Sequence, residues 1–198
     1  MFLGGVGATT ASVVSFWIVF YVWIGSEFWF GYRYRRLPSG AATHDAGSRY
    51  WLISSVWASV TIAIGTAFGS PGTAITTGRN EVFVTGLVLM VAGLALRWYS
   101  IRVLGASFTV DVATRPGQEV VESGPYRWIR HPSYTGALLT VLGLILCCAN
   151  VASFAAVVVV LLGYGYRIRV EERALAAEIG PPYRDYMRRT KRLIPFLL

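Results

Sequence analysis

Long apolar runs divided by short arginine-rich segments are the feature that most constrains how this chain can fold. Of its 198 residues, 55% are hydrophobic and only 14% are charged. A helix needs about 20 apolar residues to cross the hydrocarbon core of a bilayer. We therefore expect an all-α, polytopic membrane protein in one domain (residues 1–198), with about five transmembrane helices.

Four apolar stretches predict where these helices lie. Residues 6–30, 51–68 and 81–104 each suit one span. Residues 134–166 are too long for one span and are interrupted by the polar Asn150. This pattern predicts that the fourth and fifth helices form a hairpin that turns at Asn150, with arms of roughly 24 Å at 1.5 Å per residue.

The positive charge lies beside these runs and not in a separate basic region. The formal net charge is +8, and the cations cluster after the first, third and fifth predicted helices. This alternation is typical of the positive-inside rule, so we expect those three connections in the cytoplasm and no nucleic-acid partner. The basic C-terminal run favours contact with anionic membrane lipids. Cys147 and Cys148 lie within an apolar run, and we expect no metal site.

A polar cluster precedes the fourth predicted helix, in residues 124–136. Pro132 suits the first turn of a helix, where its missing N–H costs nothing. This placement puts Arg130 and His131 at a helix N-terminus with free backbone donors nearby. Such an end is a ready site for an anion.

A second cluster leaves the fifth helix and contains Glu171 and Glu172. Two carboxylates at a membrane boundary are costly unless they are paired or hold a cationic ligand. Tyr126 and Tyr134 add aromatic faces that suit a sulfonium or a flat base. S-adenosylmethionine would use all of these groups, although composition alone does not single it out.

The two clusters together resemble the isoprenylcysteine carboxyl methyltransferase family. The pattern Arg-His-Pro-x-Tyr-x-Gly occupies residues 130–136, and Glu-Glu-x-x-Leu follows at residues 171–175. The similarity covers about residues 104–198. The apolar runs place three transmembrane helices in residues 1–104, and the resemblance implies that residues 105–198 form the cofactor-binding catalytic half. It also implies a cytoplasm-facing S-adenosylmethionine site and methyl transfer to the carboxylate of a prenylated cysteine.

The resemblance assigns roles to individual residues. It implies cofactor contacts for His131, Tyr134, Gly136, Glu171 and Glu172, with Arg130, Pro132 and Leu175 shaping the pocket. Tyr126 is also expected to contact the cofactor. Bidentate geometry makes an arginine suited to orient the substrate carboxylate, and Arg173 and Arg167 are the residues we expect to do so. A prenyl or acyl tail would enter the site sideways from the bilayer.

Other functions remain open at this point. Phospholipid N-methylation or thiol S-methylation would use the same donor. Membrane sterol reductases that use NADPH share a similar Arg-His-x-Asn-Tyr-x-Gly region, but Ser133 stands here where they commonly have asparagine. A transporter or scaffold is disfavoured because no ionisable residue lies in the middle of a predicted span. The sequence does not identify the natural methyl acceptor.

Overall fold

Apolar helices make up most of the chain. The computed structural model describes residues 9–35 and 40–195. Within them, the α-helices are α1 (Thr10–Arg33), α2 (Ser48–Gly69), α3 (Arg79–Leu104), α4 (Pro132–Cys147), α5 (Ala155–Glu178) and α6 (Pro181–Arg189). Short 3₁₀ turns join them at Pro71–Thr73, Gly105–Ser107, Gly124–Arg127 and Val151–Phe154.

The lengths of these helices bear on the predicted number of spans. In the part of the chain that the structure describes, four helical segments are long and apolar enough to cross a membrane: Thr10–Arg33, Ser48–Gly69, Arg79–Ser107 and Val151–Glu178. The chain is therefore an integral membrane protein. The fourth predicted span, α4, is apolar but has only 16 residues, so four helices reach spanning length and α4 is shorter. Residues 6–8 of the first predicted span lie outside the described residues.

The predicted hairpin turns where expected. Asn150 accepts a 2.8 Å hydrogen bond from the Ala152 N–H and donates one of 3.0 Å to the Ser70 carbonyl. These bonds fix the turn between α4 and α5. However, α5 continues to Glu178 instead of ending near residue 166, so the Glu-Glu motif lies on a continuous helix.

The two arms pack mainly against other helices and not along each other, with α4 against α3 and α5 against α2. Glycines allow the first of these contacts. A Cβ atom placed on Gly93 would lie 2.5 Å from the Gly136 carbonyl oxygen, and one on Gly136 would lie 2.6 Å from that of Gly93. A Cβ at either position would force the two backbones apart, and small residues are typical of such close helix contacts in membranes. The close packing of α3 on α4 therefore depends on these two glycines.

An ion pair ties α1 to this unit. Arg97 on α3 donates to both carboxylate oxygens of Glu27 on α1, at 2.5 and 2.7 Å. It also donates a 3.0 Å hydrogen bond to the Ser133 hydroxyl at the start of α4. Charges in a membrane segment are costly unless they are paired in this way, so the pair fixes how α1 sits on the helices that carry the site.

A small sheet modifies the all-helical prediction. Strands β1 (Ala42–Thr43) and β2 (Ala113–Thr114) pair antiparallel, with Ala42 opposite Thr114. This pairing joins the connection after α1 to the connection after α3. The two therefore lie on the same side of the helices, as the charge distribution predicts. That this side faces the cytoplasm stays a prediction.

Candidate functional site

The N-terminus of α4 and the C-terminal part of α5 form one wall of a site. The rings of His131 and Tyr134 stack with centroids 5.4 Å apart and planes inclined by 7°. The Tyr134 hydroxyl donates a 2.5 Å hydrogen bond to Glu171, and His131 Nε2 lies 3.4 Å from Glu172 Oε1. The structure therefore brings the two sequence motifs into direct contact.

Glu172 joins the segments that form this wall through ion pairs. Its carboxylate is buried and accepts a 2.8 Å hydrogen bond from Arg130 Nε. Arg192, from the chain after α6, adds a second ion pair at 2.9 Å. Glu172 thus holds α4, α5 and the C-terminal segment together. It is not among the residues that line the cavity.

The C-terminal segment covers the start of α4. The Arg130 N–H donates to the Lys191 carbonyl at 2.8 Å, and the His131 N–H donates to the Arg192 carbonyl at 3.0 Å. The N–H groups of Arg130 and His131 themselves are therefore not free to bind an anion. They are occupied because the chain returns to this helix end after α6.

The Arg130 side chain secures the same segment. Its Nη1 atom donates to the Met187 carbonyl at 3.0 Å and to the Thr190 carbonyl. Four groups of the protein thus surround one guanidinium, counting its bonds to Glu172 and to the Thr190 hydroxyl. Arg130 is a structural clasp at the edge of the site.

A cavity lies in front of this wall. The predicted site residues that line it are Tyr126, Arg130, His131, Tyr134, Arg167, Glu171 and Leu175. Arg167 is buried and donates to the Tyr134 hydroxyl at 3.3 Å and to the Val110 carbonyl at 2.6 Å. Arg167, one of the two arginines predicted to orient the substrate, therefore lies beside the stacked rings of His131 and Tyr134.

Three other predicted residues lie elsewhere. Pro132 is buried in the first turn of α4. Gly136 faces α3, where an added Cβ would lie 2.6 Å from the Arg97 backbone nitrogen, so its role in the structure is helix packing. Arg173 is exposed on α5 and is not among the cavity-lining residues. The prediction that Arg173 orients a substrate is therefore not supported by its position.

A further part of the cavity lining was not identified residue by residue from the sequence. It comes from the polar connection after α3 and from α6, and includes Asp111, Gln118, Glu119, Tyr183 and Tyr186. The length of this connection indicated a functional segment. No residue pattern within it indicated which side chains point inward.

Charged and aromatic side chains line the cavity together with apolar ones. Asp111, Glu119 and Glu171 supply carboxylates, whereas the cations that line it are Arg130 and Arg167. Burial, followed by the nearby negative charge of Glu171, raises the pKa of Tyr126 and of Tyr183 well above the usual value. Both phenols therefore remain protonated at neutral pH and offer hydrogen-bond donors and neutral aromatic faces.

The chain is similar in sequence to known methyltransferases in the region that carries these motifs. The model of the isoprenylcysteine carboxyl methyltransferase family matches residues 86–177, which confirms the resemblance predicted from the sequence. Protein-S-isoprenylcysteine O-methyltransferase B of Arabidopsis thaliana is 32% identical over 115 residues, covering 57% of this chain and 58% of that protein. The Homo sapiens protein-S-isoprenylcysteine O-methyltransferase is 30% identical over 117 residues, covering 58% and 41% of the two chains.

A solved structure shares the fold. It is that of a eukaryotic intramembrane Ras methyltransferase, an isoprenylcysteine carboxyl methyltransferase, with a TM-score of 0.59 and 24% identity. The match covers 73% of this chain and 52% of the other. This chain thus spans about half the length of the proteins it matches, and the structural likeness concerns the fold alone.

Proposed function

We propose, from the match of residues 86–177 to the isoprenylcysteine carboxyl methyltransferase family, that this chain is a membrane methyltransferase. Its donor would be S-adenosylmethionine, and its acceptor the carboxylate of an isoprenylcysteine or a related lipid-like acid. The relatives named above are methyltransferases, which favours methyl transfer over the reductase alternative.

One observation carries this proposal: the two motifs share one cavity wall. Tyr134 and Glu171 are joined by a 2.5 Å hydrogen bond although 37 positions separate them in sequence. Had the ends of α4 and α5 been far apart, no single ligand could contact both. Their contact makes a common binding site for one ligand possible.

The lining residues suit the proposed donor. S-adenosylmethionine would supply an electrophilic methyl group on a sulfonium, and the molecule also carries an ammonium and a purine. The carboxylate of Glu171 is 28% exposed beside the Tyr134 ring and suits a cationic group. Tyr126 and Tyr183 also line the cavity and offer protonated phenols and aromatic faces.

Acceptor chemistry requires orientation more than acid–base catalysis. A carboxylate is already anionic at neutral pH, so no protein group has to remove a proton from it. We propose that Arg167 orients this carboxylate, because it lines the cavity and a guanidinium binds carboxylates well. Apolar lining residues, among them Leu104, Phe108 and Leu175, would exclude water and so favour the neutralisation of opposite charges.

The site lies at the end of membrane-spanning helices, so a lipid-like substrate would reach it from the bilayer. The names of the relatives specify an isoprenylcysteine substrate, and an isoprenoid tail would reach this site from the bilayer between the helices. The arginine-rich connections favour a cytoplasmic location for the cavity.

The direct test is transfer of a labelled methyl group from S-adenosylmethionine to farnesylcysteine analogues by the purified protein in lipid nanodiscs. We expect activity in the wild type and loss in His131→Ala and Glu171→Gln. The exposed Asp185→Asn variant is the control. Wild-type rate and cofactor affinity in both site variants would show that the assigned pocket is wrong.

The pH dependence distinguishes the acceptor classes. Carboxylate methylation should be independent of pH above about pH 5, since the nucleophile is ionised there. An amine or a thiol has to lose a proton first, so phospholipid N-methylation or thiol S-methylation should accelerate as the pH rises. Amines and thiols ionise above neutral pH, so a rate that climbs steadily from about pH 6 to 9 would favour these alternatives.

A further inference from the structure

Asp45 lies in the connection between α1 and α2, outside the family-matched residues 86–177. Its carboxylate accepts hydrogen bonds from the Arg49 N–H at 3.0 Å, the Ser48 hydroxyl at 3.2 Å and the Val112 N–H at 3.2 Å. It also forms an ion pair with Arg167 Nη1. A residue of the first half thus contacts Arg167, one of the two arginines that line the cavity.

Arg167 has little freedom in this arrangement. Its N–H groups donate to Asp45, to the Ser48 hydroxyl at 2.8 Å, to the Val110 carbonyl at 2.6 Å and to the Tyr134 hydroxyl at 3.3 Å. These contacts use four of the five N–H donors that a guanidinium carries. Asp45 is the one carboxylate among these four partners, and the fixed geometry leaves donor capacity for a ligand oxygen.

We propose that Asp45 is a positioning residue for methyl transfer, which holds Arg167 in the orientation that aligns the acceptor carboxylate. This inference rests on the proposed function. It assigns a role in the reaction to the connection between α1 and α2, for which neither the motifs nor the family match supplies one.

The charge state of Asp45 supports this role. Burial raises the pKa of Asp45, but the Arg49 and Val112 N–H groups and the charge of Arg167 outweigh burial and lower it below the usual value. The carboxylate is therefore ionised at neutral pH. It forms the direct ion pair of a buried cation, to which Glu171 contributes a second nearby negative charge.

Asp45 also bonds to Val112, whose neighbours Asp111 and Ala113 line the cavity. A purely structural role would be to hold this segment against α2. Loss of that role would weaken cofactor binding and folding together, whatever residue stands at position 167. Loss of the positioning role would lower turnover only while Arg167 is present.

The test compares Asp45→Ala and Asp45→Asn with wild type in nanodiscs, using S-adenosylmethionine and farnesylcysteine analogues. We expect kcat to fall by about 10- to 100-fold, as is typical when a reacting group is misplaced. The KM for S-adenosylmethionine should change by less than about threefold, because the lost interaction matters chiefly in the transition state. Asp45→Asn keeps one oxygen acceptor and supplies the comparison if Asp45→Ala does not fold.

Arg49→Gln is the matched control. Arg49 belongs to the same connection and forms an ion pair with Asp111 at 3.1 Å, but its side chain does not bond to Arg167. We expect this variant to keep the wild-type kcat. A loss equal to that of Asp45→Asn would indicate that disturbance of the connection, and not orientation of Arg167, lowers the activity, and would overturn the proposal.

A double-mutant cycle with Arg167→Gln gives the decisive readout. In that background, Asp45→Asn should lower kcat by no more than about twofold, because two residues that act as a unit are not additive. An equal loss in both backgrounds, or a wild-type kcat in both Asp45 variants, would overturn the proposal. Absence of methyl transfer by the wild type itself would instead refute the proposed function.

Discussion

The Tyr134 hydroxyl donates a 2.5 Å hydrogen bond to the Glu171 carboxylate. This bond joins the start of α4 to the extended end of α5, although each helix packs mainly on a different neighbour. The Tyr134 ring also stacks on His131. A single tyrosine thus sets both the position of a carboxylate and the aromatic surface beside it.

Tyr134→Phe separates these two contributions. The ring and its stacking on His131 remain, whereas Glu171 loses its phenol donor and Arg167 loses an acceptor. A hydrogen bond to a charged group is worth about 1.5–3 kcal/mol, so we expect the rate of methyl transfer to fall by at least about tenfold. The measurement is kcat/KM in the labelled-methyl assay.

Tyr164→Phe is the matched control for this prediction. Tyr164 is also buried, and its ring lies 5.3 Å from that of Tyr134. Its hydroxyl is not the donor to Glu171, so the activity should stay close to wild type. Equal losses in the two variants would mean that general packing, and not the Glu171 contact, determines the rate.

Much of this architecture could be predicted from the sequence because bilayer physics leaves few choices. Apolar runs of spanning length and a polar interruption at Asn150 predicted the helices and their turn. The shared wall followed from motif residues such as His131 and Glu171, because the helices that carry them are joined by that turn. These features depend on composition and spacing, which the sequence displays directly.

Contacts between distant polar segments could not be predicted in this way. The bond between the His131 N–H and the Arg192 carbonyl, and the pair of Asp45 with Arg167, join segments with no shared periodicity. Arg173 and Arg167 are equivalent by type, and only the direction of each on α5 shows that Arg173 is exposed. Because helix rotation depends on packing, spacing alone did not decide between them.

The glycine contact between α3 and α4 predicts a strong sensitivity to a single methyl group. Gly93→Ala would place a Cβ 2.5 Å from the Gly136 carbonyl oxygen, so the helices have to separate. Overpacking of this kind costs about 1–3 kcal/mol. We expect a lower thermal midpoint for detergent-solubilised Gly93→Ala, measured by differential scanning fluorimetry.

Gly165 on α5 provides the comparison for this change. A Cβ there would have no atom within 4 Å, and alanine is the better helix former. Gly165→Ala should therefore melt at or above the wild-type temperature. A similar decrease in both variants would argue against the close approach of α3 and α4.

The clasp formed by Arg130 predicts that lysine cannot replace it. Arg130 and Glu172 are 8% and 5% exposed, and the guanidinium also bonds to the Met187 and Thr190 carbonyls. Arg130→Lys lacks the planar fork that reaches these acceptors. Arg130→Ala leaves a buried carboxylate with fewer partners and should lower the free energy of unfolding by about 3 kcal/mol.

The exposed pair of Arg188 and Asp185 is the control for the clasp, because its side chains are 78% and 60% exposed. Arg188→Ala should leave the unfolding transition unchanged, since exposed ion pairs contribute little. Both measurements use denaturant titration in mixed micelles. Arg130→Lys with wild-type stability would contradict the role given to the fork.

The lowered pKa of Asp45 predicts how stability responds to acid. A group whose pKa is lower in the folded protein stabilises the fold above its unfolded value, about 3.9 for aspartate. That contribution is lost as the pH falls through the folded pKa, because the protonated carboxyl then resembles an asparagine. The difference in thermal midpoint between wild type and Asp45→Asn should therefore be constant from about pH 8 to 6 and narrow below about pH 4.

Asp185→Asn, at an exposed position, should show no such difference at any pH. A wild-type advantage that persists undiminished at pH 3, below the unfolded value of about 3.9, would mean that the Asp45 carboxylate does not supply the stabilisation through its charge.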